Sequence, residues 1–328
     1  MSTALVPDKI LRDLSKMWAS LAHSEGGAPS GGVLRACSLT LVVLAAPGED
    51  PVALSEILAA LMPMHPAQAI VVRLGGSDTP AAEVTARCWM SFGQRRQVCS
   101  EEVEITAPEN GLDDVVTALS PIVAPDLPVI LWCRGEQAME AASFGRLASL
   151  ATRVVVDASQ WPDAKPAIQR VYDLARHAHV GDLAWTRLTP WREMISEVFE
   201  NTNYAGRASE IVRIHVVCAG KAPVEAYYMA AWLSDSLTQA GAHFELQMEA
   251  DETGGMRQLQ QVELFAGAFT VKLMRLRDTL AIEMDGVSRC INLPQSRDDL
   301  LMSEELDILR ADPVFERTLQ AAARLRIE

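Results

Sequence analysis

The 328-residue chain lacks most of the short motifs that mark catalytic and cofactor sites. No GxGxxG follows its first strand-like run, where residues 46–50 read APGED, so a dinucleotide fingerprint is absent. The glycine-rich stretch 26–32 precedes a strand and has Gly32 where a P-loop has lysine, so we interpret it as a connector. No HExxH, GxSxG or clustered Cys and His pattern occurs. We therefore expect no catalytic residues, no cofactor and no metal, and a chain that is not an enzyme.

Positive charge and long apolar runs are also scarce. The 29 Lys and Arg residues stand against 43 Asp and Glu, and a net charge of −14 repels nucleic acid and anionic membranes. No apolar run reaches the ~20 residues that cross a bilayer. Near the N-terminus, Lys9, Arg12 and Lys16 alternate with leucines, which predicts a short amphipathic helix and not a signal peptide. We expect a cytoplasmic protein that binds neither nucleic acid nor membrane.

The six cysteines form no CxxC pair, and most lie in apolar, strand-like runs. Such thiols behave as small hydrophobic side chains, so we expect reduced core cysteines in a reducing compartment. Cys88 and Cys99 flank a predicted hairpin, where a disulfide is the less favoured alternative.

Strand-like and helix-like runs alternate through the first 200 residues. Short β-branched runs at 38–45, 69–74, 128–133 and 153–156 are typical of strands buried on both faces of a parallel sheet. Helical patterns begin at Asp50–Pro51 and after Asn110, and we expect further helices over 138–150 and around 168–175. A hairpin is predicted from 83–90 and 98–105. Together these predict a Rossmann-like, doubly wound and mostly parallel sheet, mixed by the hairpin, over residues 33–205. A flexible helix and loop, 1–32, is expected to precede it.

The second half changes its period after a polar stretch at 201–209, which we take as the domain boundary. A strand at 211–218, a helix from Pro223 and a strand at 244–248 come first. Residues 259–293 alternate with period two, and Asp285–Gly286 suits a type I′ turn. Two helices close the chain, the second with Asp312 as N-cap and Pro313 at its first position. This predicts an α+β domain with an antiparallel meander over residues 206–328.

One segment concentrates the residue types that dominate binding hot spots, tryptophan and arginine. Its candidate interaction residues are Asp182, Trp185, Thr186, Arg187, Thr189, Pro190, Trp191 and Arg192. Thr189 is also predicted to cap a helix that begins at Pro190. The alternative is that Trp191 packs at the domain junction and Arg187 pairs with an acidic neighbour. The sequence leaves both interpretations open.

The same segment carries a resemblance to a known family. Residues 181–201, GDLAWTRLTPWREMISEVFEN, resemble the hallmark segment of the glucose-6-phosphate dehydrogenase assembly protein family, OpcA. LPVILWCRGE at 127–136, MHPAQAIVV at 64–72 and LLMSEELDILRADPVFERTL at 300–319 are similar as well. The likeness extends from about residue 33 to the C-terminus.

The resemblance implies a non-catalytic partner that binds glucose-6-phosphate dehydrogenase and promotes its assembled, active form. On this hypothesis Trp185, Arg187, Trp191 and Arg192 lie at or just beneath the surface that meets the enzyme. Two alternatives stay open. One is a sugar-phosphate-binding enzyme that uses the carboxyl ends of the first sheet's strands, where doubly wound folds place ligands. The other is a scaffold subunit that tethers the dehydrogenase without activating it.

Overall fold

The computed structural model describes residues 5–24, 33–75, 79–90, 97–124, 126–251, 257–293 and 297–326. In chain order, its helices and strands are α1 (Pro7–Ser24), β1 (Leu34–Arg35), β2 (Leu39–Leu44), α2 (Pro51–Leu61), β3 (Ala67–Leu74), β4 (Ala81–Met90), β5 (Gln97–Ala107), α3 (Leu112–Leu119), β6 (Val129–Cys133), α4 (Phe144–Leu150), β7 (Arg153–Val156), α5 (Ala164–Ala175), β8 (Val180–Asp182), α6 (Leu183–Thr186), α7 (Thr189–Glu200), β9 (Ile211–Ala219), α8 (Val224–Gln239), β10 (Glu245–Asp251), β11 (Gln258–Ala266), β12 (Thr270–Leu276), β13 (Thr279–Met284), β14 (Val287–Asn292), α9 (Asp298–Leu306) and α10 (Pro313–Arg324). The glycine-rich stretch 26–32 lies outside the described residues.

The chain forms two compact units, and each is assembled from separate pieces of sequence. The first unit comprises 1–156, 178–180 and 298–310, and the second comprises 157–177, 181–297 and 311–328. The first break thus falls well before the polar stretch 201–209, where we expected the boundary. The physical reason is that α5 packs against α8 and α10 within the second unit. Periodicity along the chain does not reveal such non-sequential packing.

The first sheet is doubly wound, as predicted. Its strand order is β1-β5-β3-β2-β6-β7-β8, the pairings from β1 to β7 are parallel, and β4 pairs antiparallel with β5. All six residues of β2 are buried, which explains why that run is continuously apolar. The α/β, Rossmann-like and mixed character expected from the sequence is confirmed.

Helix α2 begins and ends where local chemistry dictates. The Asp50 side chain accepts a hydrogen bond of 2.9 Å from the Val52 N–H, and Pro51 occupies the first helical position, where no N–H is needed. Leu54, Leu58 and Leu61 form its buried face. The helix ends at Leu61, two residues before Pro63.

Helix α9 belongs to the first unit although it lies near the end of the chain. Arg153 of β7 makes a 2.7 Å ion pair with Glu305 of α9, and the two side chains are only 1% and 2% exposed. Arg134, which follows β6, bridges Glu49 at 2.5 Å and Asp298 at 2.9 Å. These charge pairs and the contacts between α2 and α9 fix the helix on the unit.

The predicted amphipathic helix near the N-terminus is confirmed as α1. Ile10 and Leu14 are buried. Its Trp18 Nε1 donates a hydrogen bond of 2.7 Å to the buried carboxylate of Glu101 on β5, which also accepts from Gln68 at 2.9 Å. Within the described part of the chain, no helix combines the length and the apolar character needed to cross a membrane.

The second sheet is mixed, with strand order β10-β9-β11-β12-β13-β14. Only its β9–β10 pair is parallel, so the βαβ unit and the antiparallel meander expected from the sequence are both present. Asp285 and Gly286 have φ of 49° and 77°, the positive values that a type I′ turn requires. Helix α8 packs against β9 and β11.

Two local predictions were wrong. The run 138–150 is not one helix, because a short 3-10 turn at Gln137–Glu140 is followed by a break and then by α4. Cys88 and Cys99 are not reduced thiols but form a disulfide, since the register of β4 and β5 places them directly opposite each other with Cα atoms 4.1 Å apart. Of the other four cysteines, Cys133 and Cys218 are buried, as expected for core thiols.

Candidate functional site

The candidate interaction segment, residues 182–192, spans a strand end and two helices. Asp182 ends β8 and caps α6, accepting a hydrogen bond of 2.9 Å from the Ala184 N–H. Helix α7 starts at Thr189, with Leu188 as its N-cap and no side-chain cap, so Thr189 is the first helical residue and not the predicted cap. Neither the three-residue β8 nor the single-turn α6 is long enough to produce a periodic pattern, and the sequence did not reveal them.

The segment divides into buried and partly exposed members. Asp182, Trp185, Thr186 and Trp191 are at most 2% exposed. Arg187, Thr189, Pro190 and Arg192 are partly exposed. The two tryptophans therefore pack in the interior, and any contact with another protein would be made by the partly exposed members.

Asp182 is the centre of a buried hydrogen-bond network. Its Oδ1 accepts from the backbone N–H groups of Ala158 at 3.1 Å and Ala184 at 2.9 Å, and its Oδ2 accepts from the Tyr228 hydroxyl at 2.8 Å. Burial, reinforced by the negative charge of Asp157, raises the pKa of Asp182 to about 7. Burial and the same Asp182 carboxyl raise the pKa of Tyr228 well above its usual value. The segment thus contains a buried carboxyl group with a pKa near neutral pH.

Arg187 pairs with Asp157, as the structural alternative predicted. Its Nη1 donates a hydrogen bond of 2.7 Å to Asp157 Oδ1, and its Nη2 donates one of 2.7 Å to Asp157 Oδ2. Nη1 also donates to Ser159 Oγ at 3.0 Å. Burial alone would raise the pKa of Asp157, but this bidentate contact outweighs it, and the pKa lies below its ordinary value. The Arg187 guanidinium is therefore directed into the unit, with its side chain 13% exposed.

Trp185 joins α6 to α8 and α10 through an aromatic cluster. The centre of its ring lies 5.7 Å from the ring centre of Phe315 and 6.5 Å from that of Tyr228. The ring centres of Phe315 and Tyr228 are 5.5 Å apart. The indole Nε1 donates a hydrogen bond of 3.2 Å to Asp312, the N-cap of α10. The two contacts of Tyr228 are edge-on, an arrangement that stabilises a core beyond simple burial.

Arg192 covers the outer side of this cluster. Its guanidinium lies 3.7 Å from the centre of the Trp185 ring, in a cation–π arrangement, and donates a hydrogen bond of 2.9 Å to Thr189 Oγ1. The structure thus brings Trp185, Thr189 and Arg192 together. Trp191 is buried and takes no part in the ring contacts of this cluster.

Asp157, Tyr228 and Phe315 were not among the predicted site residues. Asp157 directly follows β7, and a polar residue after the carboxyl end of a buried strand was the available signal. Tyr228 and Phe315 lie on apolar helix faces that look like ordinary core, so no sequence signal distinguished them. In the described ranges, no three His, Cys, Asp or Glu side chains are grouped so that they could hold a metal ion.

Comparisons with known proteins identify the family. Residues 59–173 match the model of the glucose-6-phosphate dehydrogenase subunit N-terminal domain (OpcA_G6PD_assem), and residues 178–319 match that of the C-terminal domain (OpcA_G6PD_C). The relatives include proteins named as the OxPP cycle protein OpcA from Synechococcus elongatus, 24% identical over 58% of this chain, and from Synechocystis, 23% identical over 48%. The matches cover 42% and 33% of those relatives, so the chain spans less than half of their length.

Solved structures resemble the chain only weakly. A biliverdin reductase from Synechocystis, solved with biliverdin and NADP⁺, is 12% identical, with 87% of this chain and 97% of that chain covered and a TM-score of 0.44. Apo scyllo-inositol dehydrogenase from Lactobacillus casei is 11% identical, with 88% and 94% covered and a TM-score of 0.45. At these scores the likeness says nothing about activity. The two family models, which together cover most of the chain, do identify it: the chain belongs to the OpcA family of glucose-6-phosphate dehydrogenase assembly proteins.

Proposed function

We propose that this chain is a non-catalytic accessory protein that binds glucose-6-phosphate dehydrogenase and promotes its assembly and activity. The observation that carries the proposal is the match of residues 59–173 and 178–319 to two domains described as parts of a glucose-6-phosphate dehydrogenase subunit. The relatives' name places them in the OxPP cycle, and this chain would act there in the cytoplasm.

An accessory protein activates an enzyme only by binding its active state more tightly than its inactive state, because equal affinity for both shifts no population. The binding surface must therefore be complementary to one state and must hold its shape. We assign part of this surface to Arg187, Thr189, Pro190 and Arg192, the partly exposed members of the 182–192 segment.

The buried members of the segment would support that surface from beneath. Trp185 fixes the Arg192 guanidinium at 3.7 Å, and Asp157 fixes that of Arg187 through two hydrogen bonds. Side chains that are already ordered lose less conformational entropy on binding. The buried tryptophans and Asp182 are thus positioning residues, and the contact itself would be made by the residues above them.

The test is a titration of the purified chain into the separately purified dehydrogenase of the same organism, with NADPH production followed at sub-saturating glucose 6-phosphate. We expect a saturable rise in rate and a complex on size-exclusion chromatography. A complex without a change in rate would favour the scaffold alternative. A flat rate without a complex, combined with tight phosphosugar binding by the isolated chain, would favour the sugar-phosphate alternative.

Variants locate the surface. Arg192→Ala should shift the titration to about tenfold higher concentration, as loss of an interface arginine commonly does. The matched control is Arg324→Ala, which removes an exposed arginine from the last turn of α10 and should leave the titration unchanged. Equal effects of the two substitutions would show that the 182–192 segment is not part of the surface that binds the dehydrogenase.

A further inference from the structure

The two faces of the second sheet differ in burial. Side chains on one face are fully buried, and α8 packs against this sheet at β9 and β11; the face includes Ile214, Val216, Val262, Leu264, Val271 and Leu273, all 0% exposed. Side chains on the opposite face, which we term the open face, are partly exposed and include Arg213, His215, Glu263, Phe265, Lys272 and Met274.

Strand register orders the open face into rows. His215 lies opposite Glu263, Glu263 opposite Lys272, and Lys272 opposite Glu283, so the charged side chains of β11, β12 and β13 alternate in sign beside the imidazole of β9. Lys272 pairs with Glu263 at 2.8 Å, and His215 lies 3.7 Å from the same carboxylate. Glu283 is exposed and makes no ion pair within the described part of the chain.

Apolar and aromatic groups flank this charged row. Val217 and Met274 both lie opposite Gln261 in the next row, one on each side of it. In the row on the other side, the Arg213 guanidinium stacks over the Phe265 ring at 3.9 Å. Phenylalanine, methionine and arginine are enriched at protein–protein interfaces. The solvent-facing side of an antiparallel sheet, in contrast, usually carries polar residues. Phe265, Met274 and Arg213 therefore suit a covered surface, while the lysine and glutamates of the charged row are residue types that interfaces contain less often.

The dimensions of the open face match those of a stable interface. Six strands spaced by about 4.8 Å give a width of about 29 Å, and strands of about seven residues at about 3.3 Å each give a length of about 23 Å. The footprint is then on the order of 700 Å², close to the ~800 Å² per partner of a standard interface. Two such sheets pack face to face in many β-sandwiches.

Charge identifies the occupant. The chain as a whole has a net charge of −14, so a second copy can approach only where the charges are balanced. On β9, β11, β12 and β13, Arg213 and Lys272 balance Glu263 and Glu283, whereas the exposed Glu245 and Glu249 of the edge strand β10 add negative charge beside this central patch. Alternating signs let one row meet the same row of another copy after a two-fold rotation, which is what a symmetric dimer requires. We propose that two copies of this chain dimerise by packing their open faces together, a role separate from the binding of the dehydrogenase.

Sedimentation velocity on the full chain between about 1 and about 100 µM tests this proposal, because the dimer forms by mass action. We expect a species of twice the chain mass. Met274→Glu places two negative charges near the centre of the symmetric interface and should weaken the dimer by more than about 100-fold. The matched control is Met64→Glu, which makes the same replacement at a methionine that is 75% exposed in the first unit and should leave the dimer intact.

A second measurement uses the unmodified protein, in case Met274→Glu impairs folding. Peroxide oxidation followed by peptide mass spectrometry should slow at Met274 as the chain concentration rises, while Met64 and the 68% exposed Met90 oxidise at constant rates. A monomer at every concentration, or a dimer in which Met274 stays equally reactive, overturns the proposal. If the chain is monomeric and Met274 is protected only when the dehydrogenase is added, the open face binds that enzyme instead, and the proposed dimer is wrong.

Discussion

Arg187 donates two hydrogen bonds of 2.7 Å each to the carboxylate of Asp157, and both side chains are nearly nine-tenths buried. Both residues belong to the second unit, in which Asp157 is the first residue of one chain segment and Arg187 is the C-cap of α6. An arginine in such a contact stabilises its own fold first, so changes at Arg187 should alter stability as well as any binding.

Arg187→Ala should lower the free energy of unfolding by about 3 kcal/mol, because it leaves a buried carboxylate without its counter-charge. The lowered pKa of Asp157 adds a pH signature: its contribution is present above the unfolded pKa of about 4 and is lost as pH falls through the folded value. Urea unfolding at neutral pH measures the loss. Arg187→Lys, which keeps the charge but not the bidentate geometry, should lose less. An Ala variant as stable as the parent would show that the pair contributes nothing.

Asp182 should show the opposite pH dependence. Its pKa is raised to about 7, so the folded state holds a proton that the unfolded state releases near pH 4. The stability that protonated Asp182 contributes to the folded state is complete below about pH 4 and is lost as the pH rises to about 7. Asp182→Asn resembles the protonated carboxyl and can still accept from Ala158 and Ala184.

Urea midpoints measured from about pH 5 to about pH 8 check this expectation. The stability of the Asn variant relative to the parent should be lowest at the acid end of this range and should rise toward the alkaline end. Tyr228→Phe is the control, since it removes one hydrogen bond but keeps the buried carboxyl and therefore the slope. Identical pH profiles for the parent and the Asn variant would show that Asp182 is not the group that causes the pH dependence.

Helices and strands whose apolar residues recur at a regular spacing could be predicted from the sequence. The buried strands, the capped helix at Asp50, the hairpin turn at Asp285 and the helix after Asp312 are all present. Each depends on local chemistry, such as a side-chain cap or a positive φ. The domain division could not be predicted, because it depends on which faces of α5, α9 and α10 meet other elements, and helix periodicity alone does not specify the partner.

The candidate site was predicted in composition but not in arrangement. The sequence identified Trp185, Arg187 and Arg192 as a cluster of unusual residue types, yet the side that each presents depends on β8 and α6, which are too short to show a pattern. Burial of the tryptophans follows from contacts with Phe315, more than a hundred residues away along the chain. Only the folded structure brings such residues together.

The buried pair of Arg153 and Glu305 gives a prediction for the first unit. Glu305→Ala should destabilise the chain by about 3–5 kcal/mol, because it leaves the Arg153 guanidinium charged and buried. The neighbouring Glu304→Ala, on an exposed position of the same helix, should cost less than about 1 kcal/mol. Denaturant unfolding compares them. Replacing both partners, as Arg153→Met with Glu305→Leu, should recover much of the loss, and a double variant no better than Glu305→Ala would mean that the cost does not come from the unpaired charge.

The disulfide between Cys88 and Cys99 is open to a direct chemical test. The two residues are 11 apart in sequence, and closing so short a loop should stabilise the fold by about 3 kcal/mol. Under native conditions without reductant, iodoacetamide should reach the exposed Cys290 but neither member of the pair, while burial raises the pKa of Cys133 and of Cys218 to about 12 and keeps both unreactive. Cys88→Ser should lower the unfolding midpoint, whereas Cys290→Ser should not. Labelling of Cys88 and Cys99 in the folded, unreduced protein would show that the thiols are free, and the stabilisation assigned to the disulfide would then have to come from the packing of β4 on β5 alone.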